Sequence, residues 1–259
     1  MDLGLRGKTA LLSGASRGLG RACAFALARE GVDVTIVSRT RETLEKTCDE
    51  IAKATGVKAS FVVGDITKKE TRKAAVAACP APDILINNAD GPLPGDFRDW
   101  SREDWIDALD MMMLGHIDMM RLTVDGMMER GFGRIVNIVS RSIKTPQLEL
   151  GLSNGARSGL AGFAGGLARQ TVGRGVTVNN LLPGIFDSGA QKRHIEGMLE
   201  PGGKTYDQIW QERAAANPAK RYGNPDELGA YCAFLCSAHA GYITGQNLVI
   251  DGGSFPGAF

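Results

Sequence analysis

Ser13-Gly14-Ala15-Ser16-Arg17-Gly18-Leu19-Gly20 decides the reading of this chain. The stretch follows a short apolar run, Thr9–Ser13, and opens a helical pattern over 19–30. Glycines at these places let the backbone turn tightly and approach a pyrophosphate. The free N–H groups and positive dipole end of the following helix favour that anion. Many turns are glycine-rich, so the pattern has force only in context. The context is present, because a second strand pattern, Val32–Ser38, ends about twenty residues on.

Working outward, short β-branched runs alternate with longer helical stretches. Further strands are expected at Ala59–Gly64, Ile84–Asn87, Arg134–Ser140, Val176–Leu182 and Asn247–Ile250. Helical patterns fall near 19–30, 41–54, 68–78, 103–129, 155–173 and 225–237. This alternation predicts an α/β fold: a doubly wound, seven-stranded parallel sheet of the Rossmann type with helices on both faces. Residues 1–259 read as one dinucleotide-binding domain, a common size for a single α/β unit. The stretch from 185 to 223 breaks the rhythm, is long and polar, and contains Pro201-Gly202-Gly203. It reads as a mobile lid, about 187–221, over the strand ends.

The second strand ends in Val37-Ser38-Arg39. An acid there would hold a ribose 2′-OH and favour NAD(H). Ser38 and Arg39, with Arg17 in the glycine turn, suit a 2′-phosphate instead, so NADP(H) is preferred and NAD(H) is the second choice. The competing reading is that both arginines are ordinary solvated charges.

Composition excludes several classes. Net charge is +1, from 30 basic and 29 acidic residues. That balance gives no case for binding nucleic acid or an anionic membrane. The first residues lack a signal-peptide core and no apolar run approaches the ~18 residues of a membrane span, so a cytoplasmic protein is expected. Cys23, Cys48, Cys79, Cys232 and Cys236 are odd in number and form no Cys-x-x-Cys. They read as buried thiols rather than a disulfide or zinc framework.

With these motifs in place, the chain resembles the short-chain dehydrogenase/reductase (SDR) family, and within it the β-ketoacyl carrier-protein reductase-like branch, over nearly its whole length. Ser13-Gly14-x-x-x-Gly18-x-Gly20 matches that family's glycine motif, and Gly64-Asp65-Ile66 its adenine-contacting segment. Asn87-Asn88-Ala89-Asp90 resembles its Asn-Asn-Ala-Gly, with Asn88 near the cofactor. Pro183-Gly184 matches the turn that flanks the nicotinamide. Tyr242-Ile243-Thr244-Gly245-Gln246 and Asp251-Gly252-Gly253 resemble its C-terminal signature. The cofactor residues implied are Gly14, Ser16, Arg17, Gly18, Leu19, Gly20, Ser38, Arg39, Asp65, Ile66, Asn88, Arg157, Pro183 and Gly184.

The resemblance implies a catalytic Asn, Ser, Tyr and Lys. Only the serine carries over, as Ser140. The tyrosine position falls on Ser153, the lysine position on Arg157 and the asparagine position on Met112. All four tyrosines (Tyr206, Tyr222, Tyr231 and Tyr242) lie elsewhere. A serine hydroxyl donates a hydrogen bond but is a poor proton source, and arginine stays charged at ordinary pH. Arg157 is still suited to holding ribose hydroxyls or an oxyanion. Asp90 puts a carboxylate where the motif's glycine allows close backbone approach. Replacement acids would have to come from Lys144, His194 or Tyr206, each of which also reads as a solvated side chain. His116 and His239 read as structural or exposed.

Two functions compete. The first is an NADP(H)-dependent oxidoreductase acting on a small carbonyl or hydroxyl substrate, 3-oxoacyl reductase-like, with Ser140, Ser153 and Arg157 at a non-standard site. The second is a catalytically inactive dinucleotide-binding sensor or structural subunit, paired in a heteromer with an active relative. A hydrolase is remote, since Ser140 has no nucleophile-elbow motif around it. Seven methionines between Met111 and Met128, followed by Gly155, Gly159, Gly162, Gly165 and Gly166, suggest adaptable and close helix packing. In the resembling family these two helices form a dimer interface, which implies a homodimer or homotetramer.

Overall fold

The computed structural model describes residues 1–199 and 201–257. Seven parallel strands form one sheet in the order β3-β2-β1-β4-β5-β6-β7. They are β1 (Thr9–Ser13), β2 (Asp33–Ser38), β3 (Ala59–Val63), β4 (Ile84–Asn87), β5 (Gly133–Ile138), β6 (Val176–Pro183) and β7 (Asn247–Ile250). The central strands are buried along nearly their whole length, as expected for a sheet covered on both faces.

One apolar layer joins the sheet to α1 (Gly18–Arg29), α2 (Arg41–Thr55) and α9 (Pro225–Cys236). A second joins the other face to α3 (Lys69–Ala78), α5 (Gly115–Arg130) and α6 (Gly151–Thr171). All five cysteines are buried and free. Cys232 and Cys236 belong to the first layer, as small apolar fillers.

Strand order reverses between β1 and β4, the place where doubly wound sheets open a ligand crevice at their carboxyl ends. Beneath the crevice an asparagine ladder crosses four strands. Asn87 donates to Asn137 at 2.9 Å, Asn137 to Asn180 at 2.9 Å, and Asn180 to Asn247 at 2.8 Å. Each link joins residues paired in the sheet register. A register slip would leave buried amides unpaired, so the ladder fixes the register of β4, β5, β6 and β7 against one another.

The structure corrects three sequence expectations. The helix expected at 155–173 begins at Gly151, which puts Ser153 in its first turn. The helix expected at 103–129 is interrupted: α4 (Arg102–Leu109) passes through a π-helical turn, Asp110–Leu114, before α5. The polar stretch between β6 and α9 holds two further helices, α7 (Gly189–Glu196) and α8 (Tyr206–Ala216). Their starts are held by Ser188 accepting from the Gln191 N–H and by a capping box between Thr205 and Gln208.

The methionine- and glycine-rich helices divide by role. Met112, Met119, Met120 and Met127 are core residues of this chain. Gly155 and Gly159 make room for Trp105 and Met113. At Gly162, Gly165 and Gly166 an added Cβ would meet nothing within 4 Å. Among the described residues, no helix is long and apolar enough to cross a membrane.

Candidate active site

The phosphate turn is built by steric necessity. Gly14 and Gly18 have φ of +58° and +55°, a region open to glycine. A Cβ on Gly14 would lie 2.4 Å from the Asn88 carbonyl oxygen, and one on Gly20 2.3 Å from the Gly14 carbonyl oxygen. Asn88 ties the two sides of the crevice: its Nδ2 donates to the Gly14 carbonyl at 2.9 Å and its N–H to Ser13 Oγ at 3.0 Å. Arg17, the residue preceding α1, gives that helix no side-chain cap. Its first-turn N–H groups therefore remain for an anion.

A cavity of about 300 Å³ runs along these strand ends. Gly14, Ser16, Arg17, Gly18, Leu19, Ser38, Arg39, Asp65, Ile66, Asn88, Arg157 and Pro183 all line it. Two residues named from the sequence do not. Gly20 packs beneath the turn, and Gly184 lines the adjoining cavity, where a Cβ would lie 2.5 Å from Asp251. Ser16 Oγ donates to Ser38 Oγ at 2.9 Å, joining the turn to the end of β2. Arg17 and Arg39 are exposed and form no ion pair among the described residues. Burial pushes the Asp65 carboxyl up, but the Thr67 N–H and the charges of Arg39 and Lys68 outweigh it and hold the group below its usual value.

The adjoining cavity, about 230 Å³, is lined by Ser140, Ser153 and Arg157 together. Ser140 follows β5, where its Oγ accepts from the Ser142 N–H at 3.1 Å and the Ser142 hydroxyl at 2.9 Å. Ser153 Oγ accepts from Arg157 Nε at 3.0 Å. The rest of the guanidinium clamps main chain: Nη1 donates to the Ile138 and Val139 carbonyls at 3.0 and 3.2 Å, and Nη2 to Ala89 at 3.1 Å. Four of its five N–H groups are thus used, leaving one on Nη2. Burial lowers the Arg157 pKa to about 10, with Asp90 opposing, so it is a cation at neutral pH.

Asp90 turns toward α7 and pairs with Arg193. Met112, at the position of the family's asparagine, is fully buried. His116, one turn further on, is also fully buried, and neither ring nitrogen has a hydrogen-bond partner. Of the three replacement acids considered, only His194 lines the adjoining cavity. Lys144 stands over the Phe255 ring at 5.1 Å, and Tyr206 stacks on Trp210 with centroids 5.9 Å apart. Sequence reasoning missed Gln191, Arg193 and Arg213, which reach the same cavity from α7 and α8. No motif marks them.

A glycine turn at the switch point of a doubly wound sheet, with an open strand-end cleft, defines a dinucleotide-binding scaffold. The family model described as enoyl-(acyl carrier protein) reductase matches residues 14–254. The NADPH-dependent reductase BacG of Bacillus subtilis is 30% identical over 252 residues, covering 95% of this chain and 97% of that one. The 3-oxoacyl-(acyl-carrier-protein) reductase FabG of Vibrio harveyi is 32% identical, covering 98% of this chain and 99% of that one. L-Sorbose reductase from Gluconobacter frateurii, solved with NADPH and L-sorbose, superposes with a TM-score of 0.94 at 27% identity, covering 99% of this chain and 100% of that one. The chain belongs to the short-chain dehydrogenase/reductase family of oxidoreductases.

Proposed function

We propose that this protein is an NADP(H)-dependent reductase of a small carbonyl compound, or the dehydrogenase of the matching alcohol, working through a non-standard site. The observation that carries this reading is the meeting of Ser140, Ser153 and Arg157 where the dinucleotide cleft joins the second cavity. The residues present fit the cofactor. The Gly14–Gly18 turn and uncapped α1 suit a pyrophosphate, and unpaired Arg17 and Arg39 suit a 2′-phosphate. NADPH-dependent relatives support the same choice. Bound there, the cofactor supplies the hydride.

The chain's own residues polarise the substrate oxygen. Ser153 Oγ already accepts from the Arg157 cation, so its hydroxyl hydrogen is left to donate, and the adjacent charge strengthens that donation. Ser140 is placed to donate a second hydrogen bond. Arg157 holds positive charge where an alkoxide develops. The proton that completes the alcohol is drawn from bulk water through the open cleft, since neither a serine hydroxyl nor His194, whose pKa burial lowers, is a ready acid. Open space at Gly162, Gly165 and Gly166 on α6, with Phe163 and Leu122 exposed nearby, supports assembly as a homodimer or homotetramer.

The test is NADPH oxidation against a panel of ketones and 3-oxoacyl thioesters. Saturable turnover that falls at least about a hundredfold with Ser140→Ala supports the assignment. Turnover indifferent to Ser140→Ala removes it. Tight NADPH binding with no turnover of any carbonyl favours the non-catalytic sensor or subunit.

A further inference from the structure

The cavity beside Ser140 and Ser153 carries an excess of positive charge that hydride transfer does not require. Arg141, Arg157, Arg193 and Arg213 line it, against the single carboxylate of Asp90. Arg193 takes Asp90, and Arg141 lies 4.0 Å from Asp251. Arg157 is satisfied by neutral oxygens. Arg213 has no carboxylate within ion-pair distance among the described residues.

Arg213 is also short of hydrogen-bond acceptors. It projects from α8, half-buried, and its Nη1 donates to the Met198 thioether at 3.7 Å, a weak acceptor. Its Nε is buried with no partner. On α7, lining the same cavity, the side-chain amide nitrogen of Gln191 is likewise buried and unpartnered. An unmade bond at a buried donor costs about 1–3 kcal/mol, and more at a charged group. Both side chains line the cavity, and the chain itself leaves a donor of each without an acceptor. A water would serve the amide, but a guanidinium with no carboxylate partner among the described residues, in a half-closed cavity, calls for negative charge. His194 lies in the same lining. Burial and the neighbouring Arg213 lower its pKa, with the Glu149 charge opposing, so it adds a neutral donor rather than a further cation.

We infer that the molecule taken by this cavity carries a compact oxyanion, a carboxylate or a phosphate, which Arg213 and Gln191 bind at the lid end while its reacting carbonyl lies at Ser140 and Ser153. The inference rests on the reading of this cavity as the substrate end of a reductase site. A volume of about 230 Å³ suits a small metabolite, and Leu93 and Leu150 give it an apolar wall.

The test uses binding rather than turnover. The protein loaded with NADP+, which has no hydride to give a ketone, is titrated calorimetrically with acetoacetate and its methyl ester, phenylpyruvate and its methyl ester, and dihydroxyacetone phosphate and dihydroxyacetone. At least one anion is expected to bind about tenfold to a hundredfold tighter than its neutral counterpart, as a charge-assisted hydrogen bond provides. The acid and phosphate pairs show which oxyanion the site takes. Arg213→Met and Gln191→Leu should erase the preference while NADPH affinity holds, and Arg213→Lys should keep part of it. The inference is overturned if no anion outbinds its partner across the panel, or if the preference survives Arg213→Met. Oxyanion preference without turnover would sink the reductase reading alone. Turnover of neutral ketones without that preference would sink this inference alone.

Discussion

The Nε–H of Arg157 donates to Oγ of Ser153 at 3.0 Å, so the residues at the family's lysine and tyrosine positions form one charge-assisted unit. The unit is anchored to the main chain at Ala89, Ile138 and Val139, joining the ends of two strands to the first turns of α6.

Arg157→Lys removes most of that anchoring. An ammonium has three donors and no planar fork, so at least one buried carbonyl loses its partner. A stability loss of about 2 kcal/mol is expected, measured by urea denaturation. The double variant Ser153→Tyr with Arg157→Lys should gain at least about a hundredfold in kcat on an accepted ketone, because a phenol then supplies the proton. No gain in a folded double variant would mean that the cleft cannot use the family's acid.

Arg39→Ala should weaken NADPH binding at least about tenfold and leave NADH binding nearly unchanged, since a 2′-phosphate loses a charge-assisted partner. Fluorescence titration of both cofactors checks this. Equal weakening of both would place Arg39 away from the 2′ position.

Gly20→Ala should disrupt the phosphate turn from below. Its Cβ would sit 2.3 Å from the Gly14 carbonyl oxygen, a contact with backbone that cannot swing aside. A loss of about 1–3 kcal/mol is expected, together with weakened cofactor binding. Thermal melting with and without NADPH separates the two effects.

His116 should make stability depend on acid. Burial, with the Arg157 charge behind it, lowers its pKa from 6.5 to about 4. The unfolded chain therefore binds a proton that the folded one refuses. The contribution is whole above pH 6.5 and drains away as pH falls toward 4, by roughly 3 kcal/mol in all. His116→Val should flatten that slope in urea titrations run across the window. An unchanged slope would assign the acid sensitivity to other groups.

The strands and the phosphate turn are legible in the sequence because their signals are local: β-branched runs, and glycines at a strand-to-helix junction. Ser140 is picked out by resemblance to the family's serine position, and the structure places it in the lining of the second cavity. The work of Arg157 is not legible, because its acceptors lie 18, 19 and 68 residues away and are backbone carbonyls that leave no trace in side-chain pattern. α8 escapes periodicity because it contains no buried residue, although Thr205 and Gln208 carry a capping box that marks its start. The start of α6 is obscured for the opposite reason: Leu150 and Gly151 offer no capping side chain. His116 reads as unremarkable until the π-helical turn before it is seen and its ring proves fully buried without a partner.

The ion pair between Asp90 and Arg193 fastens α7 to the loop after β4, with both side chains partly open to water. A latch of that kind is tuned by the medium. As ionic strength rises toward 1 M the reach of each charge shrinks to about 3 Å, and the hold of α7 on the cleft is expected to loosen. A release rate for NADPH that rises with salt, measured by stopped-flow fluorescence, is the expected consequence.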